Sequence, residues 1–175
     1  QICDNLRTLG KSIPLLLTSS AQAELDNSYG RSKLAAEQAV AQLAIDNANP
    51  VAIYRLPGVF GKWCKPNYNS VVATFCHNKA HDLPVQIKDA DARIRLVYVD
   101  DVIRAFLFLL ATPWSGEVRP VVQPEYSITL GELSAQIDAF KNCRSTLESE
   151  RVGTGLTRAL YATYVSYLPK DKFAY

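Results

Sequence analysis

Residues 13–20 read Ile-Pro-Leu-Leu-Leu-Thr-Ser-Ser, a continuous apolar run that ends on two serines. A run without polar alternation is typical of a strand buried on both faces of a parallel sheet, so we predict a strand over Ile13–Thr18. A second strand of this kind is predicted over Val51–Leu56, and a long helix over Ser28–Asn47 lies between them along the chain. This order of elements is typical of α/β proteins with a parallel sheet.

The rest of the chain continues the alternation of helices and strands. Asp100 and Asp101 are placed to cap one helix, and Thr129 with Glu132 forms a capping-box pattern for another. The pattern predicts helices at Asp4–Leu9, Asn69–His81, Val102–Ala111, from Thr129 to Phe140 and at Gly155–Leu168, and short strands at Val85–Ile87, Ile94–Val99 and Val118–Val122. The predicted fold class is therefore α/β, with a partial doubly wound, Rossmann-like parallel sheet and a small C-terminal α/β subdomain.

Composition narrows the class of protein. The chain has 175 residues, of which 48% are hydrophobic, so it can bury a substantial core. Its net charge is +2 and it has no basic block, which argues against a nucleic-acid partner. The apolar run around Ala105–Ala111 is too short to span a membrane. The four cysteines lack the spacing of a zinc site, so we expect reduced thiols and a cytoplasmic protein. His77 and His81 have no third ligand nearby in sequence, so we expect no metal site.

Tyr29 and Lys33 are the sharpest chemical feature of the sequence. A step of four residues places both side chains on one face of the predicted helix. An ammonium beside a phenol favours the ionised phenol, which can exchange a proton with an alcohol or a carbonyl oxygen. Ser20, at the end of the preceding strand, is placed to hydrogen-bond the same oxygen. The pair taken alone is also compatible with a surface tyrosine beside a solvated lysine.

Four segments in order resemble the extended short-chain dehydrogenase/reductase family: Thr-Ser-Ser-Ala (18–21), Ser-Tyr-Gly-Arg-Ser-Lys-Leu (28–34), Arg-Leu-Pro-Gly-Val-Phe-Gly (55–61) and Leu-Val-Tyr-Val-Asp-Asp-Val (96–102). The resemblance implies an enzyme that acts on a keto group at C4 of a nucleotide sugar with a nicotinamide cofactor. It implies that Tyr29 donates a proton to the C4 oxygen of that sugar. It implies that Lys33 assists Tyr29 and holds the nicotinamide ribose, and that Ser20 orients the keto group, with Ser19 as a less favoured substitute. The backbone at Pro57, Gly58 and Val59 would line the nicotinamide.

A narrower resemblance covers residues 60–78, 155–161 and 164–169, which are similar to bacterial capsular-polysaccharide reductases of the CapF type. It implies NADP (or NAD) as cofactor, a UDP-sugar substrate and a homodimer built on the helix Ser28–Asn47. The implied reaction reduces a 4-keto UDP-deoxy-amino sugar to UDP-2-acetamido-2,6-dideoxy-L-talose, on the route to UDP-N-acetyl-L-fucosamine. Asn67 and Asn69 are candidate substrate contacts, because helix N-termini favour phosphate oxygens.

The sequence departs from these families at several points. It has no Gly-x-x-Gly-x-x-Gly loop, and the chain contains no methionine, so we expect a fragment without the N-terminal half. The resemblance to the CapF type implies a bifunctional intact enzyme, whose C-terminal cupin domain performs a C3 epimerisation, and we expect this domain to be missing from the fragment as well. Gly58 stands where the family usually has Asn. Arg93 and Arg95 flank the usual position of an arginine, and neither is given a role. Residues 1–61 are predicted to complete the cofactor-binding domain, and residues 62–175 to form mainly a substrate-binding subdomain, with a strand returning to the sheet near 94–122.

Two other functions remain open at this point. The first is a UDP-sugar 4-epimerase, which retains its NAD and consumes no net hydride. The second is a non-catalytic structural piece that cannot bind the cofactor. Because the missing loop would hold most of the cofactor, we expect the isolated chain to be inactive.

Overall fold

The computed structural model describes residues 1–148 and 150–172. In chain order the helices are α1 (Ile2–Leu9), α2 (Ser28–Asn47), α3 (Val71–Ala80), α4 (Val99–Leu110), α5 (Leu130–Thr146) and α6 (Gly155–Val165), with 3₁₀ turns at Ala21–Glu24 and Lys170–Lys172. The strands are β1 (Leu15–Ser20), β2 (Val51–Leu56), β3 (Gly58–Phe60), β4 (Arg93–Tyr98), β5 (Glu117–Val118) and β6 (Tyr126–Thr129).

The chain divides into two compact units. The first unit comprises residues 1–57 and 101–123, and the second comprises residues 58–100 and 124–175, of which 149 and 173–175 lie outside the described residues. The assignment of cofactor binding to residues 1–61 and of substrate binding to residues 62–175 stays a prediction.

The first unit contains a parallel sheet in the order β1-β2-β5. The central strand β2 is almost fully buried, and Val51 and Ile53 form a core with Val40 from α2. In β1, by contrast, Leu15–Leu17 are half-buried, because only β2 lies beside this strand in the described part of the chain. The predicted burial of that strand on both faces was therefore wrong.

The limits of β1 also differ from the prediction. The ladder begins at Leu15, whose N–H donates to the Pro50 carbonyl at 2.9 Å, because Pro14 has no N–H to donate. It continues through Ser19 and Ser20, which were expected to end the strand and instead pair with β2. Because Ser19 and Ser20 are both strand residues, their side chains point to opposite faces of the sheet.

The second unit packs helices α3, α5 and α6 with a mixed sheet in the order β3-β4-β6. Strands β3 and β4 are parallel, whereas β6 is antiparallel to β4. The predicted capping box at Thr129 and Glu132 is present at the start of α5. Fully buried core side chains include Phe60, Val72, Leu133, Ile137 and Leu160. Tyr164 and Tyr167 are also core residues, and the Tyr167 hydroxyl donates to the Cys64 carbonyl.

Three further elements differ from their predictions. Val85 and Ile87 pack against the core of the second unit without forming a strand, so burial alone explains their alternation. The strand predicted at Val118–Val122 shrinks to Glu117–Val118, since Pro120 cannot donate to a ladder. Helix α4 begins at Val99 rather than Val102, which places both aspartates inside its first turn instead of at its cap.

His77, His81 and Cys76 of helix α3 and the turn after it make packing contacts. The rings of His77 and His81 stack with centroids 4.3 Å apart, and the described residues contain no group of three or more His, Cys, Asp or Glu that could hold a metal ion. Cys76 is fully buried, and burial raises the pKa of its thiol, as expected of a packing cysteine. Within residues 1–148 and 150–172, no helix combines the length and apolar character needed to cross a membrane.

Candidate functional site

Tyr29 and Lys33 lie at the start of α2. Asn27 caps this helix, and its side-chain oxygen accepts a hydrogen bond from the Gly30 N–H at 2.8 Å. The Lys33 Nζ lies 5.6 Å from the centroid of the Tyr29 ring, so the two side chains share a face of the helix. Tyr29 is 49% exposed, which leaves its ring accessible to a ligand. The structure thus brings these two predicted site residues together.

Gly30 sets how closely α2 approaches the preceding turn. A Cβ atom built on Gly30 would lie 2.1 Å from the Leu25 carbonyl oxygen and 2.6 Å from that of Gln22. Real side chains do not tolerate such distances to backbone atoms, so only glycine allows this packing. The contact fixes the Tyr29 turn of α2 directly beside the residues that follow β1. The glycine of the Tyr-Gly-x-x-Lys segment was a signal that the sequence interpretation did not use.

Ser20 is the last residue of β1 and pairs with Leu56 at the carboxyl end of β2. Its Oγ accepts a hydrogen bond from the Gln22 N–H at 3.1 Å, and this contact leaves the hydroxyl proton unused. The Ser19 hydroxyl is buried and donates to Glu37 at 2.5 Å. Because successive side chains of a strand point to opposite faces, Ser20 faces away from that contact. The geometry therefore favours Ser20 over Ser19 as the group that meets a ligand.

Glu37 is a buried carboxylate that the sequence interpretation missed. It lies on α2 one turn after Lys33, and only 1% of its surface is exposed. Arg55 from β2 makes a two-point contact with it, Nε to Oε1 at 3.0 Å and Nη2 to Oε2 at 2.8 Å. Arg119, which follows β5, adds a contact to Oε2 at 3.1 Å. Because Ser19 of β1 also contacts it, the carboxylate connects α2 to β1, to β2 and to the segment that follows β5.

The charges around Glu37 favour its ionised form. The hydrogen bonds from Arg55 hold the pKa of the Glu37 carboxyl below its usual value, while burial acts in the opposite direction. The outer side of each guanidinium has its own carboxylate, because Arg55 pairs with Glu24 at 2.5 Å and Arg119 with Glu117 at 2.6 Å. Each arginine of this cluster therefore contacts the buried Glu37 on one side and a more exposed glutamate on the other.

The lowered pKa of Glu37 predicts a specific pH dependence of stability. Its contribution should be fully present above its ordinary value of 4.5 and should be lost as the pH falls through the lower pKa of the folded state. We therefore expect the difference in free energy of unfolding between the wild type and Glu37→Gln to be constant above about pH 5 and to shrink below it. Urea unfolding of both proteins across this range measures the difference. A difference that stays constant down to about pH 3 would contradict the ionised, hydrogen-bonded carboxylate.

The other predicted site residues lie in several places. Pro57 follows β2 at the same sheet edge as Ser20. Gly58 and Val59 belong to β3 in the second unit, and both are exposed. Asn67 and Asn69 are exposed in the loop before α3. Their roles in binding stay predictions.

The start of α3 differs from the prediction. The helix begins at Val71, two residues later than expected, and Ser70 is its cap, with Oγ accepting from the Ala73 N–H at 3.3 Å. The side chain of Asn69 is therefore not the helix cap. Asn67 adopts a left-handed backbone with φ 54°, and its N–H donates to Thr74 Oγ1 at 2.9 Å.

Arg93 and Arg95 are exposed residues of β4. Arg95 forms a two-point ion pair with Glu125, including an Nη2 to Oε2 contact at 2.9 Å. This pairing joins β4 to the residue just before β6 and explains Arg95 as a structural contact within the second unit.

The chain is similar to proteins of known activity. It is 53% identical over 174 residues to a Pseudomonas aeruginosa protein named UDP-2-acetamido-2,6-beta-L-arabino-hexul-4-ose reductase, and the match covers 99% of this chain and 47% of that protein. It is 40% identical to the crystal structure of the capsular polysaccharide assembling protein CapF from Staphylococcus aureus, with a TM-score of 0.92 over 99% of this chain and 47% of that one. The chain thus spans about half the length of these two relatives.

A more distant likeness concerns the fold alone. The UDP-glucose 4-epimerase of Thermotoga maritima is 18% identical, with a TM-score of 0.78 over 99% of this chain and 68% of that structure. Together with the CapF match, it confirms the predicted α/β, Rossmann-like fold class. The family model described as the NAD dependent epimerase/dehydratase family matches residues 11–123, which are more than half of the chain. The match includes β1, α2 and the Tyr29–Lys33 pair, and the chain belongs to the NAD dependent epimerase/dehydratase family.

Proposed function

We propose that this chain supplies the Ser20, Tyr29 and Lys33 catalytic set of an NAD(P)H-dependent reductase that acts on a 4-keto UDP-deoxy-amino sugar. The product would be UDP-2-acetamido-2,6-dideoxy-L-talose. The observation that carries the proposal is the Lys33 ammonium beside the Tyr29 ring, on a helix held next to the Ser20 end of β1. The 53% identity to a reductase of a hexul-4-ose UDP-sugar supports this reaction over others of the family.

The three side chains have separate roles in the proposed reaction. Tyr29 donates its phenolic proton to the C4 oxygen as the ketone becomes an alcohol, which is general acid catalysis. The Lys33 ammonium stabilises the phenolate that this transfer leaves behind. Ser20 donates its unused hydroxyl proton as a hydrogen bond to the same oxygen and so orients the keto group. A buried Ser19 that is already bonded to Glu37 is poorly placed to replace it.

The residues of this chain fit one end of a nicotinamide cofactor. No partner within the described ranges forms an ion pair or hydrogen bond with the Lys33 ammonium, so its donors are available to ribose hydroxyls. Pro57 lies at the same sheet edge as Ser20, which is the edge where parallel sheets bind ligands. The sequence lacks a Gly-rich loop for the pyrophosphate. When bound, NADPH or NADH would supply the hydride for C4.

Further contacts complete the proposal. Asn67 and Asn69 carry exposed amides that can hydrogen-bond the UDP-sugar. A homodimer through α2 is also proposed. Val40 and Leu43 of this helix are committed to the core of the first unit, whereas Leu34 and Ile45 are 37% and 76% exposed and could contact a second copy.

A turnover experiment tests the proposed reaction. We expect the protein, at the length its gene encodes, to oxidise one NADPH or NADH for each molecule of the 4-keto UDP-sugar, with the alcohol identified by mass spectrometry and NMR. Parallel assays with each nucleotide decide which one is used. For the isolated 175-residue chain, calorimetry should find weak or no NADPH binding, because the Gly-rich loop is absent from it.

The same experiment separates the rival functions. Inversion at C4 with no net consumption of nicotinamide would indicate a UDP-sugar 4-epimerase. No turnover and no cofactor binding at the encoded length would indicate a non-catalytic structural role. Either result would overturn the proposed reductase.

A further inference from the structure

The contacts of Glu37 link the Ser20 strand to the Tyr29 helix. Tyr29, Lys33 and Glu37 follow one another at steps of four residues and so lie along one side of α2. Glu37 accepts the hydroxyl of Ser19, the residue directly before Ser20. The 2.5 Å contact therefore joins the two elements that carry the proposed catalytic set, and it lies on the buried side of both.

We propose that Glu37 is a positioning residue for the reaction proposed above, on which this inference rests. By holding the Ser19 hydroxyl on the buried face of β1, it fixes the backbone so that Ser20 presents its hydroxyl on the opposite face. Arg55 and Arg119 occupy the remaining lone pairs of the carboxylate and stop it from rotating. Glu37 itself touches no reacting atom.

Stability alone gives a weak reason for such a cluster. Buried ion pairs often contribute little net stability, because removing charges from water costs about as much as their attraction returns. The specific property of the Glu37 carboxylate is its geometry, since four donor atoms from two strands and from the segment after a third contact it. That geometry defines the relative positions of β1, β2 and α2 at the edge where the proposed site lies.

The isosteric variant Glu37→Gln tests this proposal. The amide keeps the size of the side chain but turns one acceptor into a donor that faces Arg55 and Arg119. In the protein at its encoded length, we expect kcat to fall about tenfold while KM for the 4-keto UDP-sugar changes less than about twofold. The matched control is Glu24→Gln, which removes the charge of an exposed partner of Arg55 and should leave kcat within about twofold of wild type.

A double-mutant cycle with Ser20→Ala distinguishes positioning from a general loss of structure. If Glu37 acts through Ser20, the Glu37→Gln change should lower kcat less than about twofold once the Ser20 hydroxyl is gone. A full tenfold loss in both backgrounds would overturn the proposal, as would an unchanged kcat in Glu37→Gln. If Glu37→Gln does not fold, Ser19→Ala decides, because an unchanged kcat in that variant would overturn the proposal too. A wild type without reductase activity would instead refute the proposed function.

Discussion

Replacing Tyr29 with Phe is expected to lower kcat for reduction of the 4-keto UDP-sugar by about 10²- to 10⁴-fold, the range that one general acid usually contributes. The change removes a single hydroxyl and keeps the aromatic ring over which Lys33 lies. Because Tyr29 is about half exposed, its hydroxyl supports no core packing, and the fold should be retained. Steady-state oxidation of NADPH by the wild type and the variant measures the effect.

The position of the hydroxyl makes this loss specific. A matched control is Tyr161→Phe, which removes the hydroxyl of a half-buried tyrosine that packs against Phe140 in the second unit. We expect that variant to keep kcat within about twofold of wild type. Circular dichroism should show the same helix content in all three proteins. If Tyr29→Phe lost no more activity than Tyr161→Phe, Tyr29 could not be the proton donor.

Replacing Gly30 with Ala is expected to lower the free energy of unfolding by about 3 kcal/mol, at the upper end of the usual cost of overpacking. The added Cβ would lie 2.1 Å from the Leu25 carbonyl oxygen, and neither backbone can yield without moving α2 away from the turn. Since Tyr29 is the neighbouring residue, the same displacement should reduce kcat. Urea unfolding gives the change in stability, and the turnover assay gives the change in rate.

Gly153 offers a matched control for the glycine substitution. A Cβ at Gly153 would meet no atom within 4 Å, and its backbone does not require glycine. Gly153→Ala should therefore change stability by no more than about 1 kcal/mol, in the stabilising direction, because alanine restricts the unfolded chain. Equal stabilities of Gly30→Ala and Gly153→Ala would mean that α2 does not pack on the carbonyls of Gln22 and Leu25.

Local sequence patterns were enough to predict most of the fold. The apolar runs at 13–18 and 51–56 and the helix between them give the parallel pair β1 and β2, and the Thr129–Glu132 capping box marks the start of α5. Predicted strands were wrong in position where a proline interrupts the hydrogen-bond ladder, and wrong in kind where partial burial of a loop produced alternating apolar residues. Pro14 delays β1 until Leu15, and the partly buried Val85 and Ile87 imitate the alternation of a strand.

The candidate site was predictable only where it depends on local spacing. Tyr29 and Lys33 lie four residues apart, and their shared helix face follows from that spacing alone. The distinction between Ser19 and Ser20 depends on both residues belonging to β1, whereas the sequence pattern ended the strand at Thr18. Glu37 was missed because its partners Ser19 and Arg119 are 18 and 82 residues away in sequence, so only the tertiary fold brings them together.

The burial of Glu37 has a consequence for ionic strength. Dissolved ions screen charges that they can surround, and an ion pair at the surface such as Arg31 with Asp26 weakens as salt is added. Mobile ions cannot surround a carboxylate that is 1% exposed and enclosed by Ser19 and two guanidiniums. Salt therefore acts on the periphery of the first unit and leaves the connection between β1 and α2 in place.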